Sequence, residues 1–352
     1  MRKFDILFLV ESGIGNALEM LYALEYCLHQ QVKCAIVLNK ISGSFVKYLQ
    51  QCYGDDVILT TTDNLTTCNL VHSFTYQDTF DIPFENYFYI HADKFSSSHQ
   101  SETEQALSVV RALYPSHFER KHLQGLIEDF SEKIMQLEPD NKIIIYPGCA
   151  SSAPIKRWPY YPELIEKIGS EKVVIIGGND DLTYTHSYYY SKLWVSVIPR
   201  VIRNNKKVFR FFKKLGLLKK HAHFSGIESM PNAYFNKFSW GELVSLLRRC
   251  QFFIGNDGGI SHLAASAGAK GLMLFGPSSV NKNKPINTDI VPVFNHFPCQ
   301  PCQFKIDPRT SMAPNAILCP YQMRCLYKLD VSDVYEKMKS MVKYGSLPDI
   351  TA

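Results

Sequence analysis

The chain alternates between short apolar runs and longer amphipathic stretches, and the alternation predicts its elements. "FDILFLV" (4–10) is apolar except at Asp5, long enough for a buried strand and too short for a core helix. After the turn "ESGIGN" the period lengthens. Ala17, Leu18, Leu21, Leu24 and Cys27 recur at helical spacing and predict a helix from about Ala17 to Gln30. "VKCAIVL" (32–38) resumes the strand pattern, and "DVILT", "NLVHSF" and "YFYIH" follow as further strands. Ser101 with Glu104 three residues on is a capping-box pattern, which opens a helix over 101–114.

A second alternation begins at "NKIIIYPG" (141–148) and runs through a helix at 160–169, a strand "KVVIIGG" (172–178), the stretch "AHFSG" (222–226) and a helix at 239–250. It continues with "FFIGNDGGISHLAASAG" (252–268), a strand, a polar turn and a small-residue helix, and then "GLMLFGPSS" (271–279). There is no internal repeat and no low-complexity tract, and polar "LEPDN" (137–141) reads as a hinge. The pattern predicts an α/β protein of two Rossmann-like domains facing a central cleft, with ligands beyond the carboxyl ends of the strands. The predicted domains are 1–138 and 139–330, the second with an insertion at 182–222. A last segment, 331–352, carries the helix "VSDVYEKMKSMV", expected to pack near the hinge or the amino-terminal domain.

Composition adds limits. At 352 residues and 46% apolar, the chain is long enough for two cores. The first apolar run meets Glu11 after about eight residues, so it reads as a strand rather than a signal peptide. No apolar stretch approaches the roughly 20 residues of a membrane-spanning helix, so the expectation is a cytoplasmic protein. Charge is uneven: Leu182–Ile227 holds ten Lys/Arg and no acid, twice the net +5 of the whole chain. Within it Val201, Ile202, Val208, Phe209, Phe212 and Leu215 form one helical stripe among Arg203, Lys206, Lys207, Arg210, Lys213 and Lys214. That pattern suits an interfacial helix over 195–220 on anionic lipid at the inner membrane face, and equally a helix packed on its own domain. Neither a zinc finger nor paired aromatic and basic strand motifs are present, so nucleic acid is not the expected partner.

The turns carry the chemistry. In "IGNDGGISH", Asn256, Asp257, Gly258 and Gly259 lie where a strand gives way to a helix, so backbone N–H groups there can meet an anion. Asp257 can accept from hydroxyls and His262 can donate to them or to phosphate. The alternative is a capped helix with a buried, satisfied histidine. "YPGCASSAPIKRWPYYPELI" (146–165) leads from Gly148 to Lys156 and Arg157, two cations before a helix that can neutralise a diphosphate, or surface groups beside an anchoring Trp. "VVIIGGND" closes a third strand on Gly177 and Gly178.

The order "GIGN", "PG…KRWP", "VVIIGG", "FSG" before "SWGELVSLL", then "FIGNDGGISHLAASAG" and "LFGPSS" resembles glycosyltransferase family 9, the heptosyltransferase-like enzymes of lipopolysaccharide assembly. The resemblance spans roughly residues 4–340 and is strongest over 141–280. It implies a GT-B fold with an amino-terminal acceptor domain and a carboxy-terminal nucleotide-sugar domain, and an inverting transfer that needs no metal or other cofactor. The implied partners are a nucleoside-diphosphate sugar and a lipid-linked or glycan acceptor. By the same resemblance Lys156 meets the donor's phosphates, Asp257 with the backbone of Gly258 and Gly259 holds sugar hydroxyls or phosphate, and His262 braces the loop.

One departure falls at the base. Where heptosyltransferase-like members have Gly-Asp after the first strand, this chain has Gly15-Asn16, and an amide cannot take a proton at neutral pH. Glu11 and Glu19 are the nearest carboxylates, with Glu11 preferred as the base because strand ends face the cleft whereas Glu19, a turn into the helix, can lie on solvent, and Asn16 is left to position a substrate. Gly13, Gly15, His91 and Asp93 are further acceptor-side candidates. A nucleotide-sugar binder without catalysis and a GT-B epimerase stay open. A nicotinamide dehydrogenase is disfavoured because "GIG" lacks the third glycine of the dinucleotide fingerprint. Cys299, Cys302, Cys319 and Cys325 pair as C-x2-C and C-x5-C, which admits a structural zinc but fits packed thiols better.

Overall fold

The computed structural model of the chain describes residues 2–10, 13–73, 82–90, 101–119, 121–149, 154–178, 181, 186–191, 207, 211, 214–216, 218–223, 226–285, 289–297, 300 and 323–342. In the amino-terminal half, β1 (Arg2–Val10), α1 (Ile14–His29), β2 (Cys34–Leu38), α2 (Gly43–Tyr53), β3 (Ile58–Leu59), β4 (Leu65–Ser73), β5 (Phe84–Ile90) and α3 (Glu102–Leu113) follow one another. The five strands form a parallel sheet in the order β3-β2-β1-β4-β5. The capping box at Ser101 and Glu104 is present in both directions and sets where α3 begins.

The second half contains α4 (Glu132–Gln136), β6 (Ile143–Tyr146), α5 (Tyr161–Ile168), β7 (Val173–Gly177), β8 (His186–Ser191), β9 (Leu218–His223) and β10 (Ala233–Phe235). It continues with α6 (Trp240–Arg249), β11 (Phe252–Asn256), α7 (Gly259–Ala267), β12 (Gly271–Phe275), α8 (Val280–Asn283), β13 (Ile290–Phe294), α9 (Arg324–Tyr327) and α10 (Val331–Met341). Its six-stranded parallel sheet runs β10-β7-β6-β11-β12-β13, while β8 and β9 pair antiparallel to each other. Strand order reverses between β1 and β4 in one sheet and between β6 and β11 in the other. Crevices at such reversals are where open α/β sheets bind ligands.

The two halves meet through α1 and α7. One buried cluster runs from Ile6, Phe8 and Leu21 of the first half to Ile144, Phe253, Leu263 and Ala264 of the second. Glycines at the starts of both helices allow the close approach: a Cβ on Gly15 of α1 would stand 3.0 Å from His262 Cδ2, and one on Gly259 of α7 3.1 Å from Ile14 Cβ. Gly15→Val is therefore expected to destabilise the protein by about 1–3 kcal/mol through overpacking, read as a lowered denaturant midpoint. The linker is tied to both sides. The Glu25 carboxylate accepts from Tyr53 Oη at 2.7 Å and from the N–H groups of Gln124 (3.0 Å) and Gly125 (2.8 Å). Leu123 N–H donates to the Ser266 carbonyl at 2.9 Å.

The expected position of the last helix is corrected. Val334, Tyr335 and Met338 of α10 join Tyr161, Leu164 and Ile165 of α5 in the outer core of the second half, away from the hinge. The cause lies just upstream, where Leu326 and Leu329 are buried and the Trp158 indole donates to the Leu329 carbonyl at 3.0 Å, so α10 starts beside α5. Most of the basic segment lies outside the described residues. Of its apolar stripe only Leu215 is described, and it is exposed. Among the described residues no helix is long and apolar enough to cross a membrane.

Candidate active site

The turn after β11 lies at the β6/β11 reversal, and its first side chain is held from several sides. Lys156 Nζ donates to Asp257 Oδ2 at 2.9 Å, and Asn283 Nδ2 of α8 donates to the same oxygen at 3.0 Å. His262 Nε2 is 3.7 Å from Asp257 Oδ1. Burial works against the charge on Asp257, but Lys156 and then His262 outweigh it and hold the carboxyl well below the usual carboxylate range. Asp257 does not cap α7, whose N-cap is Gly258. The Lys156 side chain keeps some exposure, 12% against 2% for Asp257, so Lys156 is the more reachable member of the pair.

Two predicted donor groups are turned to other work. Asn256 is fully buried, its Oδ1 accepting from Trp158 N–H (3.0 Å) and Tyr161 Oη (3.1 Å) and its Nδ2 donating to the carbonyls of Pro147 (2.7 Å) and Gly148 (3.1 Å). Those four bonds exhaust an amide's capacity, so Asn256 fastens the β6 loop to the end of β11 and cannot also hold a ligand. Arg157, at 1% exposure, pairs with Asp181 at 2.6 Å and donates to the Cys149 carbonyl at 3.2 Å. Asp181 also accepts from the N–H groups of Gly178 (2.9 Å) and Cys149 (3.2 Å). A Cβ on Gly148 would overlap this carboxylate, which is why that loop needs glycine. The cation next to Lys156 is thus a structural tie because it faces inward.

Gly177 and Gly178 also border a cleft of about 650 Å³ between the halves. Lys47 and Tyr48 of α2 form one wall, Tyr234 and Trp240 the other, and Ile260 in the first turn of α7 joins the cleft to the Asp257 turn. Trp240 closes one end, its ring 4.7 Å from Phe45 and its Nε1 donating to Ser44 Oγ at 3.2 Å.

At the start of α1, Gly13 takes φ 87°, a left-handed conformation that favours glycine, and Asn16 is half-buried beside it. Glu19 is buried and its Oε1 lies 3.5 Å from His262 Nδ1. Glu102 in the first turn of α3 pairs with Lys282 of α8 at 2.8 Å. Burial, with the neighbouring Glu102 adding to it, raises Glu19 well above the usual carboxylate range. Burial pushes Glu102 the same way, and Lys282 outweighs it and keeps that carboxyl low.

Sequence reasoning missed Asp181, Asn283, Glu102 and Lys282. The motif "VVIIGGND" stops one residue short of Asp181 and the capping box lies beside Glu102, but neither pattern includes the residue itself. Glu11, His91, Asp93, Cys299, Cys302 and Cys319 lie outside the described residues, and Cys325 is buried in the outer core.

Residues 223–312 match the sequence model of glycosyltransferase family 9 (heptosyltransferase). No curated protein matches the chain. Among solved structures, the glycosyl transferase family 9 protein from Veillonella parvula DSM 2008 aligns with a TM-score of 0.59 at 14% identity, over 97% of this chain and 98% of that one. ADP-heptose lps heptosyltransferase II of E. coli aligns at 0.54 and 13%, over 96% and 98%. The iron-containing heptosyltransferase TibC of enterotoxigenic E. coli, solved with ADP-D-β-D-heptose, aligns at 0.53 and 16%, over 97% and 77%. These neighbours share the GT-B architecture of two parallel-sheet domains across a cleft. In its fold the chain has the GT-B architecture of these solved structures, and over residues 223–312 it resembles glycosyltransferase family 9.

Proposed function

We infer that the protein transfers a sugar from a nucleoside-diphosphate donor of the ADP-heptose type to a hydroxyl of a lipopolysaccharide or other glycan acceptor, with inversion and without a metal or other cofactor. The observation that carries this reading is the placement of Lys156 and the amino end of α7 around Asp257 at the β6/β11 reversal, beside the 650 Å³ cleft. A diphosphate reaching that point meets a partly exposed ammonium and the free N–H groups of a helix start. The nucleoside then extends over Gly177 and Gly178 between Tyr48 and Tyr234. In a single displacement the acceptor oxygen bonds to the anomeric carbon as the bond to the diphosphate breaks. Lys156 and the helix start neutralise the leaving group.

Asn16 orients the acceptor, and Glu19 takes its proton. The basic window around 195–220 supports attachment to anionic lipid at the inner membrane face, where such an acceptor is made.

The test is a thermal-shift panel of nucleotide sugars, followed by incubation of the best binder with glycan acceptors. ADP-heptose is expected to raise the melting temperature, and ADP to be released when an acceptor is added. Conversion of the free donor into an isomer would indicate an epimerase instead, and binding with no release under any acceptor would leave a nucleotide-sugar binder. Asp257→Asn should abolish the shift, since it loses the charge that holds Lys156.

A further inference from the structure

The two walls of the cleft differ in chemistry. From the second half it is bordered by Ile176, Tyr234, Phe238 and Leu243, together with Gly177 and Gly178. Rings and apolar area of this kind stack on any nucleobase, so that wall supplies affinity without choosing between bases. Asn236 and Lys237 border the cleft from the same side. Asn236 takes φ 53°, a left-handed turn conformation that asparagine favours, which accounts for its presence there.

The other wall is one face of α2. Ser44, Lys47, Tyr48 and Gln51 recur at i, i+3, i+4 and i+7, so they fall on one side of the helix, and all four border the cleft. Contacts with the second half and the linker hold that face in place. Trp240 packs on Phe45 at 4.7 Å and donates to Ser44 Oγ at 3.2 Å, and the capping box of Ser239 and Glu242 fixes where Trp240 starts α6. Tyr48 Oη donates to the Ile127 carbonyl at 2.9 Å. Ser44 and Tyr48 are thereby occupied. Lys47 and Gln51 are exposed and, among the described residues, have no hydrogen-bond or ion-pair partner.

We propose that this face of the first half reads the donor's nucleoside, Gln51 selecting adenine and Lys47 holding the ribose, while the second half holds the diphosphate. The proposal rests on the transfer reading above. An amide both donates and accepts, and adenine presents an acceptor at N7 beside a donor at its 6-amino group, so one glutamine can bond both. A base with oxygen at position 6 shows two acceptors on that edge and opposes the amide oxygen. The Lys47 ammonium can only donate, and the ribose hydroxyl oxygens, common to every nucleotide, suit it. Because α2 and the diphosphate loops belong to different halves, the donor is recognised in full only with the halves held as the Trp240 contact holds them.

The test measures dissociation constants of ADP, GDP and inosine diphosphate by calorimetry on the full chain, with melting temperatures to show that each variant is folded. Inosine diphosphate carries the 6-oxygen without the 2-amino group of guanine. The wild type is expected to bind ADP about tenfold or more tightly than either of the others. Gln51→Leu should weaken ADP by about 10–100-fold and leave the other two within about threefold, which erases the preference. Gln51→Lys, whose ammonium suits two adjacent acceptors, should turn the preference toward GDP and inosine diphosphate. Lys47→Met should weaken all three by about tenfold with their ratios kept. Asn236→Gly, which suits the same backbone conformation, should leave the ratios unchanged.

An ADP preference that survives in Gln51→Leu or disappears in Asn236→Gly would overturn the proposal. So would inosine diphosphate binding as tightly as ADP in the wild type, since the 6-amino group would then go unread. Each of these results leaves glycosyl transfer standing. A wild type that binds none of the three nucleotides would instead overturn the ADP-type donor, and the adenine assignment with it.

Discussion

Lys156→Met is expected to lower kcat by about 10²–10³-fold, with weakened donor binding as well. Lys156 is, among the described residues, the partly exposed cation paired to Asp257, and the methionine keeps its stem while removing the charge that a departing diphosphate needs. Asp257 would be left buried without its cation, beside Asn283, His262 and Ser278, and breaking a buried pair costs roughly 3–5 kcal/mol. Loss of fold and loss of chemistry must therefore be separated. Lys156→Met/Asp257→Asn removes both charges and should recover much of the melting temperature while turnover stays low. A folded Lys156→Met protein with turnover within twofold of wild type would remove Lys156 from the mechanism.

Arg157→Met, one residue away, is expected to behave in the opposite manner: a loss of about 3–5 kcal/mol in stability, and a fall in melting temperature on the order of 10 °C. Arg157 neutralises Asp181 at 2.6 Å with both side chains buried, and Asp181 in turn gathers the Gly178 and Cys149 N–H groups. Burial already raises the Asp181 carboxyl, and without Arg157 it would rise further. A carboxyl with a raised pKa in the folded state binds its proton more tightly there than in the unfolded chain. The defect should therefore be smallest in acid, below the unfolded carboxyl pKa, and complete above the folded one. Chemical denaturation of both proteins across that range measures it, and a defect independent of pH would contradict the role given to Asp181.

The adjacent residues Lys156 and Arg157 illustrate how far the chain could be read. Both were recognisable as cations ahead of a helix at a strand end, and nothing in "IKRW" distinguishes their directions. The fold divides them. Trp158 is anchored by its indole to Leu329 and by its N–H to Asn256, which turns Arg157 into the loop and leaves Lys156 toward Asp257. Asn256 shows the same limit from the other side. Its position at the end of β11 suggested a ligand group, and only the approach of the β6 loop, more than a hundred residues earlier, reveals that its amide is fully used.

By itself, the sequence determined the alternation of strands and helices, the capping box that starts α3, and the glycine-containing turns at the strand ends. These are legible because hydrophobic period, caps and glycine placement act over a few neighbouring residues. Tertiary structure alone decided which charges meet. Glu19, Glu102, Asp257, His262 and Lys282 come from five elements in two halves, and their pairing follows from strand order and from the small residues that let α1 and α7 approach. The proton affinity of a buried carboxyl depends on what stands within a few ångströms of it, and that neighbourhood is assembled only when distant segments pack.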